Sequence, residues 1–229
     1  MAYWRYTFMT ELAQRLEQVR ARMARAADRV RRDPAGITLL AVTKIFPASA
    51  IQEGYALGLR EFGENYVQEF EGKAPEVAGL EGARFHLIGH LQSNKSAKAS
   101  ELFQVVQTVD SAKLARRLDA AGKPLDVMIE VKLSEEDAKS GVDPGALPEL
   151  VAAIRACPNL RLLGLMTMPP WSEDPEAPRP VFRRLRELGE ELGLSQLSMG
   201  MSNDLETAIE EGSTCVRVGT ALFGKRRKP

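Results

Sequence analysis

The sequence predicts an α/β fold: a single closed (β/α)8 barrel of the TIM type, with an extra helix before it. Three observations carry this. Eight short apolar segments alternate with helical patterns along the chain, an order that implies βαβ crossovers. Several of these segments are rich in Val, Ile and Leu on both faces, as a parallel sheet covered on both sides requires. The 229 residues are also close to the roughly 250 that one such barrel uses. An open doubly wound sheet is the alternative, but no GxGxxG follows the first strand.

Residues 1–9 join no periodic pattern and read as a loose arm, and residues 10–229 read as one domain. Leu12, Leu16, Val19, Met23, Ala26, Ala27 and Val30 recur at three- and four-residue steps, with Thr10 placed as an N-cap, which predicts the opening helix. Its many arginines read as a solvated face rather than a nucleic-acid surface. The strand segments are 37–43, 60–63, 84–89, 103–110, 125–131, 160–166, 196–200 and 214–219. Helical patterns occupy 48–58, 65–78, 94–102, 111–122, 145–156, 178–193 and 204–212. The segment PPWSEDPEAPRP (169–180) stands out after the sixth strand and reads either as a flap or as a plain surface loop.

Composition narrows the function further. Lys+Arg and Asp+Glu are both 31, so no surplus of cations draws the chain to nucleic acid or to an anionic membrane. No apolar run reaches the roughly 18 residues that a spanning helix needs. A hydrophobic fraction of 44% with 27% charged residues is that of a globular protein and not of a disordered chain. Cys157 and Cys215 are too few for a disulfide framework and fit a reducing cytosol. The first residues lack the apolar core and cleavage site of a signal peptide. A soluble cytoplasmic protein is expected, with KRRK (225–228) as a solvated tail.

Barrels of this kind carry their sites at the C-terminal ends of the strands. Applied here, that rule selects Lys44 after the first strand, Asn65 after the second, His86 within the third, and Ser198–Ser202 after the seventh. Arg217, Gly219 and Thr220 close the eighth. A lysine at the mouth of an apolar strand loses solvation, which favours the neutral amine that adds to a carbonyl as a Schiff base. The same position also suits an exposed lysine lying along the rim. Gly200, Ser202, Gly219 and Thr220 are residue types whose backbone N–H groups close on a phosphate, although each also suits an ordinary turn or cap. A Schiff-base lysine facing a phosphate cradle suits a phosphorylated aldehyde, of which pyridoxal 5′-phosphate (PLP) is the obvious one. Arg217 then serves as a donor to the pyridine nitrogen, keeping it unprotonated; a rim salt bridge is the other reading. His86 and His90 lack a carboxylate or cysteine cluster and read as hydrogen-bonding side chains, not metal ligands. Cys215 reads as a small apolar residue in its strand.

These segments carry a resemblance. AVTK (41–44), REFGENYVQE (60–69), FHLIGHLQSNK (85–95), GLMTM (164–168) and LSMGMSNDLETAIEEGSTCVRVGTALFG (197–224) resemble, in order, the YggS/PROSC family of PLP homeostasis proteins. The resemblance implies a PLP fold-type III barrel, like the N-terminal domain of alanine racemase, with PLP held on Lys44. It also implies Asn65 near the ring, Arg217 at the pyridine nitrogen, and Ser202, Gly219 and Thr220 on the phosphate, with Met199, Gly200 and His86 as further cofactor-binding residues. Phe85 replaces a common Trp, Lys132 a common Asn, and Ile45 and Phe46 differ from the usual residues after the lysine. None of these removes a cofactor-binding group.

The function expected is PLP binding for intracellular PLP homeostasis, without catalytic turnover. Its partners are PLP itself and PLP-dependent apoenzymes as recipients; the expected state is a monomer, with a dimer as the alternative. The rival is an amino-acid racemase, which needs acid–base groups on both faces of the substrate Cα. Two-domain racemases take the second group from an added β-domain, whereas this chain ends about ten residues after strand eight. Tyr66 is the candidate for a residual second base. A Schiff-base aldolase would explain Lys44 but leave the phosphate cradle and Arg217 as coincidences.

Overall fold

A computed structural model describes residues 9–134 and 140–224; most of the expected N-terminal arm and the KRRK tail lie outside the described residues. Helix α1 (Glu11–Arg29) opens the fold, and Thr10 Oγ1 accepts the Ala13 N–H at 3.2 Å as its N-cap. Leu12, Leu16, Val19, Met23, Ala26 and Ala27 form its buried stripe. Eight strands follow: β1 (Thr38–Val42), β2 (Glu61–Glu64), β3 (Arg84–Leu87), β4 (Val105–Val109), β5 (Leu125–Glu130), β6 (Leu160–Met166), β7 (Gln196–Ser198) and β8 (Cys215–Val218). They pair in parallel and in sequence order. The sheet closes where β1 meets β8, with Leu40 opposite Arg217.

The helices between them are α2 (Ala48–Ala56), α3 (Val67–Val77), α4 (Ser96–Leu102), α5 (Ala112–Asp119), α6 (Leu147–Arg155), α7 (Arg179–Leu192) and α8 (Leu205–Glu210). A last turn, α9 (Thr220–Phe223), follows β8; periodicity did not predict it, because four residues hold barely one helical repeat. The arginines of α1 depart from a purely solvated face. Arg22 grips Glu206 at 2.6 and 2.7 Å, and Arg29 pairs with Glu210, because α1 packs on the acidic helix α8.

Alternation along each strand sorts the side chains. Ala41, Phe62, Leu87, Val106, Ile129, Leu165, Leu197 and Val216 face outward and join the main core beneath the helices. Leu40, Val42, Ile88 and Cys215 form a second, smaller cluster within the barrel. A barrel interior is ordinarily filled by branched apolar side chains. Here His86, Gln107, Ser198, Glu130 and Arg217 are all buried. That many buried polar groups need either mutual partners or a ligand.

Candidate functional site

At the C-terminal mouth of the barrel lies a cavity of about 660 Å3, within the size range of small-molecule sites. Its wall brings together six of the residues expected from the sequence: Lys44, Asn65, Ser202, Arg217, Gly219 and Thr220. A cavity of about 750 Å3 bounded by Arg84, Asp126 and Arg161 is larger, but it lies at the opposite end, where barrels of this kind carry stability rather than chemistry.

Lys44 follows β1 by two residues, and its backbone is clamped on both sides. The Lys73 ammonium donates to the Thr43 carbonyl at 3.0 Å, while the Ile45 N–H donates to the Glu69 carboxylate. Lys73 also donates to Glu69 at 2.6 Å and to Glu64 at 3.0 Å, and the Thr43 hydroxyl donates to Glu64 at 2.7 Å. Glu64 is fully buried, and burial pushes its carboxyl pKa up against the pull of Lys73. Ile45 stands at φ 62°, a conformation that costs a β-branched residue on the order of 1–3 kcal/mol. Neighbouring bonds therefore hold a strained turn that sets the direction of Lys44. The sequence reading missed Glu64, Glu69 and Lys73. The i, i+4 spacing of Glu69 and Lys73 on α3 was the available signal.

Arg217 is 4% exposed. Its guanidinium donates to Ser198 Oγ at 2.7 Å and to the Thr167 carbonyl at 2.8 Å, and its backbone N–H donates to the Gly200 carbonyl at 2.9 Å. Burial lowers its pKa, opposed by Cys215, Asp204 and Glu130. These bonds show Arg217 as an inward, fixed donor and not a rim salt bridge.

Two buried polar atoms among the described residues lack a hydrogen-bond partner: Asn65 Oδ1 and Glu130 Oε2. Asn65 lines the cavity, so its amide is placed to meet a polar ligand. Gly89 makes room for it, since a Cβ there would lie 2.2 Å from the Asn65 carbonyl oxygen. Glu130 ends β5 near Arg217; burial, then repulsion from Asp110, raise its pKa from 4.5 to about 7, against the attraction of Arg217. The folded state thus binds this proton more tightly than the unfolded chain does. Stability from this group is fully present below pH 4.5 and is lost as pH rises to about 7, by on the order of 3 kcal/mol. Glu130→Gln should therefore raise the melting temperature of the apoprotein more at about pH 8 than at about pH 5. Calorimetry showing equal gains at both would mean that Glu130 is already ionised at about pH 5 and that burial does not raise its pKa.

The loops after β7 and β8 form the far wall. Ser202 Oγ accepts the Ala221 N–H at 3.2 Å, tying the two loops together, and Asp204 accepts the Met201 N–H at 2.6 Å. The acidic, proline-rich loop supplies Trp171 and Ser172 to the wall, beside Met168 just before it, and Asn203 holds it by donating to the Ser172 carbonyl at 3.0 Å.

His86, Met199 and Gly200 do not line the cavity. Ile88, just past the end of β3, takes the mouth position, and His86, two residues earlier, faces the same way one layer deeper. Met199 points outward into the main core. Gly200 stands at φ 93°, and a Cβ on it would lie 2.4 Å from the Cβ of Ala208. It shapes the loop from behind. Gly200→Ala should destabilise the protein by about 2–4 kcal/mol, read as a lowered denaturant midpoint; an unchanged midpoint would refute that crowding. Tyr66 is 59% exposed and lies off the wall.

Comparison with known proteins follows the same outline. The family model "Alanine racemase, N-terminal domain" matches residues 14–227. A pyridoxal phosphate homeostasis protein of Pseudomonas aeruginosa is 49% identical over 224 residues, covering 95% of this chain and 97% of that one. PipY of Synechococcus elongatus PCC7942, solved with PLP bound, is 37% identical with a TM-score of 0.82, covering 93% of this chain and all of that one. Alanine racemase of Clostridium difficile 630 shares the fold at 13% identity and a TM-score of 0.70, this chain matching 57% of its length. With matches that span nearly the whole barrel, the chain belongs to the alanine racemase N-terminal domain family and, within it, to the pyridoxal phosphate homeostasis proteins.

Proposed function

We propose that this protein binds PLP as a Schiff base on Lys44 and serves PLP homeostasis in the cytoplasm, without catalytic turnover. One observation carries the reading: a single cavity brings the Lys44 side chain, a buried and fixed guanidinium, and two small-residue loops to the same barrel mouth. The residues fit the group, because Asn65, whose buried Oδ1 has no hydrogen-bond partner among the described residues, lines a cavity of ligand size. PLP supplies an aldehyde for an amine and an electron-withdrawing ring. Lys44 holds the aldehyde carbon, Asn65 lies beside the ring, and Arg217 donates to the ring nitrogen. Guanidinium keeps its own proton, so that nitrogen stays unprotonated and the ring is a modest electron sink. Ser202, Gly219 and Thr220 hold the phosphate through hydroxyl and backbone N–H groups, with Met199 and Gly200 supporting their loop.

No helix among the described residues is long and apolar enough to cross a membrane. The proposed partners are PLP and the PLP-dependent apoenzymes that receive it, with residues 10–229 acting as one domain and as a monomer. The relatives' names support the carrier reading over a racemase, and the PLP-bound PipY structure supports the cofactor. The position of Tyr66, whose side chain stands off the cavity wall, also supports the carrier reading.

The test is the visible absorption spectrum of the purified protein before and after borohydride, followed by peptide mass mapping. A yellow protein with a pyridoxyl group fixed on the Lys44 peptide is expected. A protein that stays colourless and unlabelled with added PLP would overturn the reading. Exchange of the alanine α-proton in deuterated water at a turnover rate would favour the racemase instead.

A further inference from the structure

A run of hydrogen bonds crosses the barrel interior behind Arg217, with the Cys215 thiol beside its middle links. The Arg217 guanidinium donates to Ser198 Oγ at 2.7 Å, and the Ser198 hydroxyl donates to Gln107 Oε1 at 2.6 Å. The Gln107 amide meets His86 Nδ1 at 2.9 Å, and His86 Nε2 meets the carboxylate of Glu61. Ser198, Gln107 and His86 are 0%, 1% and 6% exposed. Glu61 begins β2 and borders a cavity at the N-terminal end of the barrel. The run thus extends from the cavity mouth to the opposite end of the molecule.

Its direction follows from donor chemistry together with the Ser198–Gln107 contact. A guanidinium only donates, so Ser198 accepts from Arg217, and its one proton is directed to Gln107 Oε1 at 2.6 Å, with the Cys215 thiol alongside both. Gln107 therefore presents its oxygen to Ser198 and its NH2 to His86. His86 Nδ1 must accept, which puts the ring proton on Nε2, facing the Glu61 carboxylate. Each link leaves the next residue one usable orientation, and the last of them fixes the plane of the guanidinium.

We propose that Gln107 and His86 are positioning residues for Arg217. Anchored by Glu61, they orient the guanidinium toward the cofactor ring. The proposal rests on the PLP reading above. An interior kept only for packing would use branched apolar residues, as most barrels do. A relay that ends on Arg217, a buried cation of the cavity wall, instead holds a donor rigidly where a ligand atom is to be met.

Two measurements test it. In the apoprotein, nitrogen-resolved NMR of the two histidines should show His86 protonated on Nε2 and bare on Nδ1; the opposite tautomer overturns the direction of the relay. The second is a double-mutant cycle on PLP dissociation and on the visible band of the bound cofactor. Gln107→Leu should weaken PLP retention by about tenfold and shift that band. In an Arg217→Ala background the same change should add less than about twofold, because its effect passes through Arg217. Additive losses would make Gln107 a merely structural residue and overturn the proposal. If Gln107→Leu does not fold, Ser198→Ala, which deletes a single hydroxyl, replaces it in the same cycle with the same criteria. Wild-type protein that takes up no PLP would overturn the function as well as the relay's target; failure of the relay alone leaves wild-type binding intact.

Discussion

Lys44→Ala is expected to give a folded protein that acquires no borohydride-fixed pyridoxyl group. Covalent capture needs an amine, and among the described residues of the cavity wall Lys44 supplies it. The fold should survive because Lys44 is only half-buried and lies outside the main core. Its turn is held through backbone groups, by Lys73 on the Thr43 carbonyl and Glu69 on the Ile45 N–H, and these bonds do not need the Lys44 side chain. Melting temperature and far-UV circular dichroism should therefore match the parent to within about 0.5 kcal/mol of stability. A variant that unfolds, or one still labelled after borohydride, would show that Lys44 is structural or that another amine captures the aldehyde.

The second large effect is expected at Arg217. Arg217→Ala should speed PLP loss by about tenfold to a hundredfold, the range set by removing a hydrogen bond from a charged donor. It strips the donor from Ser198 and from the Thr167 carbonyl. It also removes the cation that holds down the pKa of Glu130, which should rise further. Arg217→Lys should not rescue retention, because a single ammonium cannot span the two acceptors that the planar guanidinium reaches together. Equilibrium dialysis with PLP, read at the visible band, separates the cases. Unchanged retention in Arg217→Ala would reduce Arg217 to a support for the β7 and β8 ends.

Much of this site is legible in the sequence. The segments ITLLAV and TCVRVG mark β1 and β8 by apolar content, and barrel topology places whatever follows them at one mouth. Lys44, Arg217, Gly219 and Thr220 therefore meet in the structure as expected. Depth was harder to read. His86 was expected at the cofactor and instead lies a layer below Ile88, and Met199 turns outward, because strand stagger decides which inward residue reaches the mouth. The clamp of Glu64, Glu69 and Lys73 joins the end of β2 to α3, and the loop wall at Met168 and Trp171 follows no period.

Local sequence alone determined the alternation of elements, the N-cap at Thr10, and the end of each strand at which chemistry would collect. These depend on side-chain periods and short-range bonds that a linear chain already contains. Only the closed barrel decided that Glu61, His86, Gln107, Ser198 and Arg217, one from each of five different strands, share one hydrogen-bonded run. Such a run depends on register between strands far apart in sequence, and register is set when the sheet closes and each inward side chain finds its layer.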